Sequence, residues 1–152
     1  MERKKTHFLF KLIAIALVIS LCTPIGAHAA MPETIRPMAS AYLMSYTAYI
    51  CAMGDGELQI WFSVTGTDYL EYIGALSVLV YESTDNENWY WVKSFLHQNN
   101  ETMLAQNTFA YMNYVSYQGV PGRYYKAYVG IWGGPADSGD SRYFWTPVEL
   151  CT

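Results

Sequence analysis

In the stretch ELQIWFSVT, Leu58, Ile60, Phe62 and Val64 alternate with Glu57, Gln59, Trp61, Ser63 and Thr65. That period of two sets one face of a strand against a core and the other against water. The preceding AYLMSYTAYICAM reads as its hairpin partner, joined through Gly54-Asp55-Gly56, a turn that tolerates positive φ. GTDYLEYIG then breaks the alternation. Asp68 with Glu71 three residues on predicts a capping box and one or two helical turns, stopped at Gly74. ALSVLVYEST predicts a central strand with Leu76, Val78 and Val80 inward. TDNEN is a polar turn, WYWVKSFLH a strand, QNNETMLAQ a polar loop with a helical turn, and NTFAYMNYVSY a strand. Pro147 lacks an amide donor and puts the last strand, RYFWTPVEL, at a sheet edge or bulge. Seven strands joined by turns predict an all-β fold, an antiparallel β-sandwich.

GVPGRYYKAYVGIWGG carries aromatics on both faces. With Tyr125, Ala127, Val129 and Ile131 inward, Tyr124, Lys126, Tyr128 and Trp132 point outward. If the following strand buries Phe144, Val148 and Leu150, Tyr143 and Trp145 join the same outer face. Flat rings beside hydrogen-bonding groups suit a sugar or an extended peptide, so these six residues are the candidate ligand-binding set. Strand propensity and cross-strand ring pairing account for the same residues without any ligand. Both readings stand on the sequence.

The N-terminus changes the compartment. Arg3, Lys4, Lys5 and Lys11 precede an apolar run from Leu12 to Leu21, then a Pro-Gly break and Ala27-His28-Ala29. This is a three-part signal peptide with cleavage after Ala29, too short to span a membrane stably. Residues 1–29 are thus a signal, 30–37 a loose leader, and 38–152 one domain of a secreted protein. Without residues 1–29 the chain keeps five basic and twelve acidic residues, a formal charge of −7. That balance disfavours nucleic acid and anionic lipid as partners.

Only His97 remains among histidines and only Cys51 and Cys151 among cysteines. A serine–histidine triad or a zinc site has no matching cluster. Asp137 with Asp140, and Asp85 with Glu87, lack the alternating oxygen ligands of a calcium loop and read as solvated turns. No catalytic residue, metal or cofactor is implied. Cys51 and Cys151 end the first and last strands, both on outward faces, and secretion permits a bridge between them; two independent thiols are the alternative.

Pro121-Gly122 leading to Tyr125 resembles the tyrosine corner of fibronectin type III and immunoglobulin-like domains. Together, GDGELQIWFSVTGT, IGALSVLVYESTDNENWYWVKSF and YQGVPGRYYKAYVGIWGG resemble a family of small secreted proteins of Gram-positive bacteria, described only as a domain of unknown function. The resemblance implies secretion and a small β fold, and it implies no activity. The favoured function is a non-catalytic binding or adhesion module for a surface glycan or an extracellular protein. A structural, self-associating protein is the alternative, followed by a small carboxylate-dependent hydrolase. Ligand and oligomeric state are open.

Overall fold

The computed structural model describes residues 40–152; the expected signal segment and leader lie outside the described residues. Seven strands form β1 (Leu43–Gly54), β2 (Glu57–Ser83), β3 (Tyr90–Leu96), β4 (Leu104–Gln118), β5 (Tyr124–Gly134), β6 (Asp140–Trp145) and β7 (Glu149–Leu150). All pair antiparallel in one sheet, curled into a half-barrel. No helix among the described residues is long and apolar enough to cross a membrane.

β2 is the spine, 27 residues long. Its first part pairs with β1 on one edge and β4 on the other. Its last part pairs with β5 and β3. Its alternation buries Leu58, Ile60, Phe62 and Val64 completely, and these meet Tyr125, Ala127, Val129 and Ile131 of β5, also fully buried. Each large apolar side chain removed from water in this way contributes about 1.5–3 kcal/mol. The β1–β2 turn is tight, with Gly54, Asp55 and Gly56 all at positive φ (94°, 52° and 81°).

The helical turns expected over Gly66–Gly74 are absent. β2 runs straight through that stretch, with a bulge between Thr65 and Leu70 after which pairing to β4 resumes. The Asp68 carboxylate accepts from the adjacent Tyr69 amide at 2.7 Å instead of capping a helix. Leu70 and Ile73 are both buried, and their spacing of three suits a helical stripe as well as a bulged strand. The partner strand decides between them. A second irregularity between Ala75 and Ser77 turns Leu76 out of the core, correcting its expected inward position, while Val78 and Val80 remain fully buried.

Gly74 sits at φ 148°, and a Cβ there would lie 2.2 Å from the Met103 carbonyl oxygen. The missing side chain lets two short 3-10 turns, His97–Asn99 and Glu101–Met103, press against β2 with Met103 buried.

Pro147 divides the last expected strand into β6 and β7. Thr146 bridges the gap: its amide donates to the Ala127 carbonyl, and the Ala127 amide donates to its hydroxyl, each at 2.9 Å. Beyond the break the inward and outward positions exchange. Val148 and Leu150 are exposed, contrary to expectation, Phe144 is half-buried against the core, and Cys151 turns inward. The expected Cys51–Cys151 bridge is therefore not formed. Both are free thiols, Cys51 half-buried on β1 and Cys151 with its sulfur near the Gly56 carbonyl.

Candidate functional site

Side chains that share a face can be followed from strand to strand through the register of β3, β2, β5 and β6. Trp91 pairs with Tyr81, and Tyr81 with Lys126. One row along, Ser94 pairs with Leu79, Leu79 with Tyr128, and Tyr128 with Trp145. The next row runs Leu96, Ser77, Gly130, Tyr143. Because the buried positions of β2 and β5 point the other way, these rows form the outer face of the half-barrel. At about 4.8 Å between strands, the four strands span roughly 14 Å.

The rings support one another. Tyr128 lies 4.9 Å from Trp145 and 6.0 Å from Tyr143, stacked on the latter. Tyr81 meets Trp145 edge-on at 5.0 Å. The ring of Tyr143 covers Gly130, where there is no side chain to displace it. Lys126 Nζ lies 4.1 Å from the Trp89 ring centre and 4.7 Å from that of Trp145, held between two π faces. Arg123 pairs with Glu82, and among the described residues no carboxylate pairs with Lys126. Above this layer Trp91, Tyr143 and Trp145 remain 62 %, 52 % and 47 % exposed.

Trp132 lies farther along the same face of β5, opposite Gly74 and Ser141. Its ring rests on Gly139, in the loop where the Gly139 amide donates to the Pro135 carbonyl at 3.0 Å. It lines a cleft of about 420 Å³ with Tyr72, Leu76, His97, Leu104 and Ala136. A neighbouring depression shares Tyr72, His97 and Leu104 and continues to Glu101 and Gln106.

Of the six residues expected to bind ligand, Lys126, Tyr128, Tyr143 and Trp145 thus come together, and Trp132 opens into the cleft. Tyr124 is half-buried at the far end of β5, paired with Ser83 and Leu150, and makes no ring contact among the described residues. Tyr81, Trp89 and Trp91 belong to the face and were missed. WYWVKSF opens with three consecutive aromatics, so it shows no face by alternation, and its register against β2 is interrupted between Val80 and Tyr81, which hides the shared face.

Tyr125 serves the fold beneath this face. Its hydroxyl accepts from the Val120 amide at 2.9 Å and donates to the Glu82 carboxylate, which also holds Arg123. Burial, followed by the hydrogen bond to Glu82, pushes the Tyr125 phenol far above its ordinary value. The acidic pairs are engaged locally. Asp85 accepts from the amides of Glu87 and Asn88 and from the side chains of Ser83 and Asn88, which hold its carboxyl well below the usual range. Asp140 accepts from Ser40 and from the amides of Ala41 and Tyr42, pinning the approach to β1; the Ser40 contact is the main cause of its lowered value. Among the described residues no three His, Cys, Asp or Glu side chains cluster as a metal site would require.

Compared with known proteins, the chain matches no family model, no curated protein and no solved structure.

Proposed function

We propose that the chain is a secreted, non-catalytic binding module whose outer sheet face docks carbohydrate. One observation carries the reading: Trp91, Tyr143 and Trp145 are exposed together on a sheet face that no other described strand covers. Sugar rings present flat C–H faces that stack on such aromatics, while hydroxyls at the ring edge reach neighbouring polar groups. The packed layer of Tyr81, Tyr128 and Lys126 beneath holds the Tyr143 and Trp145 rings in place before any ligand arrives, which lowers the ordering cost of binding. The signal reading of residues 1–29 and the resemblance to small secreted proteins support a location outside the cell. The Tyr125 corner supports a local likeness to the fibronectin type III corner, carried on a single curled sheet. A glycan and cell-wall binding screen tests the proposal. The protein should bind, and a Trp91→Ala, Trp145→Ala variant that melts like the native protein should not. Equal binding by the two would remove the face from the account.

A second reading, self-association, has its own support. β4 pairs with β2 alone, so its other edge is open among the described residues. Its 15 residues include no charge and no proline, and Phe109 and Met112 are exposed. Such an edge invites pairing with another copy. Light scattering over a range of protein concentrations should then show a rising mass; a constant monomer mass removes this reading.

A further inference from the structure

We propose that the cleft beside Trp132 is a second binding site, which takes a single uncharged pyranose ring. The inference rests on the saccharide-binding reading of the outer face and assigns that face a terminal subsite. β2 lines the cleft through Tyr72 and Leu76, β5 and the loop after it through Trp132 and Ala136, and the first 3-10 turn and the start of β4 through His97 and Leu104. The volume of about 420 Å³ suits a small ligand. β5 carries both sites: Tyr128 and Trp132 are four residues apart on one face of the strand, about 13 Å, with Tyr143 lying over Gly130 between them.

The polar groups specify the ligand. Tyr72, His97 and Trp132 line the cleft, and Glu101 and Gln106 join Tyr72 and His97 in the adjoining depression. None of these five side chains has a hydrogen-bond or ionic partner among the described residues. Tyr72, His97 and Trp132 are half-buried, whereas Glu101 and Gln106 are exposed at the rim; the half-buried Tyr111 and Asn113 nearby are engaged, both reaching the Thr102 carbonyl. Free donors and acceptors around an indole with one side open to the cleft match the hydroxylated edge and C–H face of a sugar ring. Glu101 lines the adjoining depression, and among the described residues no lysine or arginine lines it or the cleft, so acidic sugars are repelled. Lys126, beyond Tyr128, belongs to the other site.

The protein contains five tryptophans, Trp61, Trp89, Trp91, Trp132 and Trp145, so labelling the indole nitrogens with ¹⁵N yields one reporter per ring. Titration with glucose, N-acetylglucosamine or glucuronic acid, and separately with a polysaccharide retained in the binding screen, reads both sites at once. The Trp132 signal should move saturably with glucose or N-acetylglucosamine and stay still with glucuronic acid. Trp145 should move with the polysaccharide alone. Trp132→Ala should weaken monosaccharide binding by about 2- to 12-fold, the range expected of one stacking contact, with Trp132→Phe in between. Glu101→Gln should admit glucuronic acid. If no monosaccharide moves Trp132 while the polysaccharide moves Trp145, the cleft proposal falls and the outer-face reading survives. If neither signal moves, both fall. A response of Trp132 to triglycine but to no sugar would also overturn the proposal. The native titration decides even if the Trp132 variants fail to fold.

Discussion

Replacing Tyr125 by phenylalanine removes one oxygen atom from a fully buried ring and leaves the packing volume almost unchanged. Two hydrogen bonds disappear with it, one received from the Val120 amide and one given to the Glu82 carboxylate. Val120 lies at an exposed corner, 46 % accessible, where water replaces the lost acceptor at small cost. Glu82 keeps Arg123 but loses a donor to a partly buried charge. A hydrogen bond to a charged group contributes about 1.5–3 kcal/mol and a neutral one about 1, so with partial resolvation the variant should lose about 1–3 kcal/mol. With a urea m-value of about 2 kcal/mol/M, the middle of the usual range, the midpoint should fall by roughly 0.5–1.5 M. Tyr124→Phe is the control, since that hydroxyl has no hydrogen-bond partner among the described residues. The pH dependence separates the hydroxyl from packing. The folded phenol titrates above its ordinary value of 10.0, so its stabilisation is complete below pH 10 and is lost as the pH rises through the folded value. Native protein should therefore lose stability more steeply above pH 10 than the variant. Unfolding free energies within about 0.5 kcal/mol of each other and identical alkaline profiles would refute the corner.

Two further outcomes follow from the backbone and the thiols. Gly74→Ala must place a Cβ against the Met103 carbonyl at φ 148°, and should cost at least about 1–3 kcal/mol in a thermal or urea melt while loosening the wall of the Trp132 cleft; a neutral result would contradict that close approach. Cys51 should react rapidly with a disulfide reagent in native protein and Cys151 only on unfolding, because Cys151 is 1 % exposed and burial raises its thiol above 9.0, with Glu82 adding to the effect. That raised value also means Cys151 supports the fold below pH 9.0 and ceases to as the pH climbs past it. Equal reactivity, or a mass showing an internal bridge, would overturn this arrangement.

The parts of the fold legible in the sequence are those set by local alternation. Leu58 to Val64 and Tyr125 to Ile131 carry their faces in their own period, and Gly54-Asp55-Gly56 marks its own turn. What was hidden depends on pairing partners far along the chain. Asp68 and Glu71 are correctly spaced for a helix cap, yet β4 holds Leu70 and Tyr72 in the sheet through Thr108 and Gln106. Pro147 signals a break without disclosing that Val148 and Leu150 turn outward and Cys151 inward. The site divides in the same way. Lys126, Tyr128, Tyr143 and Trp145 follow from one hairpin, whereas Tyr81 and Trp91 join them only through the β2–β3 register, and the cleft draws its lining from β2, β5, the first 3-10 turn and β4, far apart along the chain. A row of similar make-up, Tyr49, Trp61 and Tyr114, lies on the β1–β2–β4 part of the sheet, so aromatic pairing by itself does not distinguish a binding face. The number of exposed rings and the adjoining cleft do.

That contrast supplies the most direct test of the account. In affinity electrophoresis through gels containing each soluble polysaccharide of a panel, native protein should be retarded by at least one. Trp145→Ala should lose the retardation, and Tyr114→Ala, which removes another exposed ring from the other part of the sheet, should keep it. Both variants are to be matched to native protein in melting temperature. No retardation of native protein by any polysaccharide, or the same loss from both substitutions, would contradict a carbohydrate-binding face centred on Trp145.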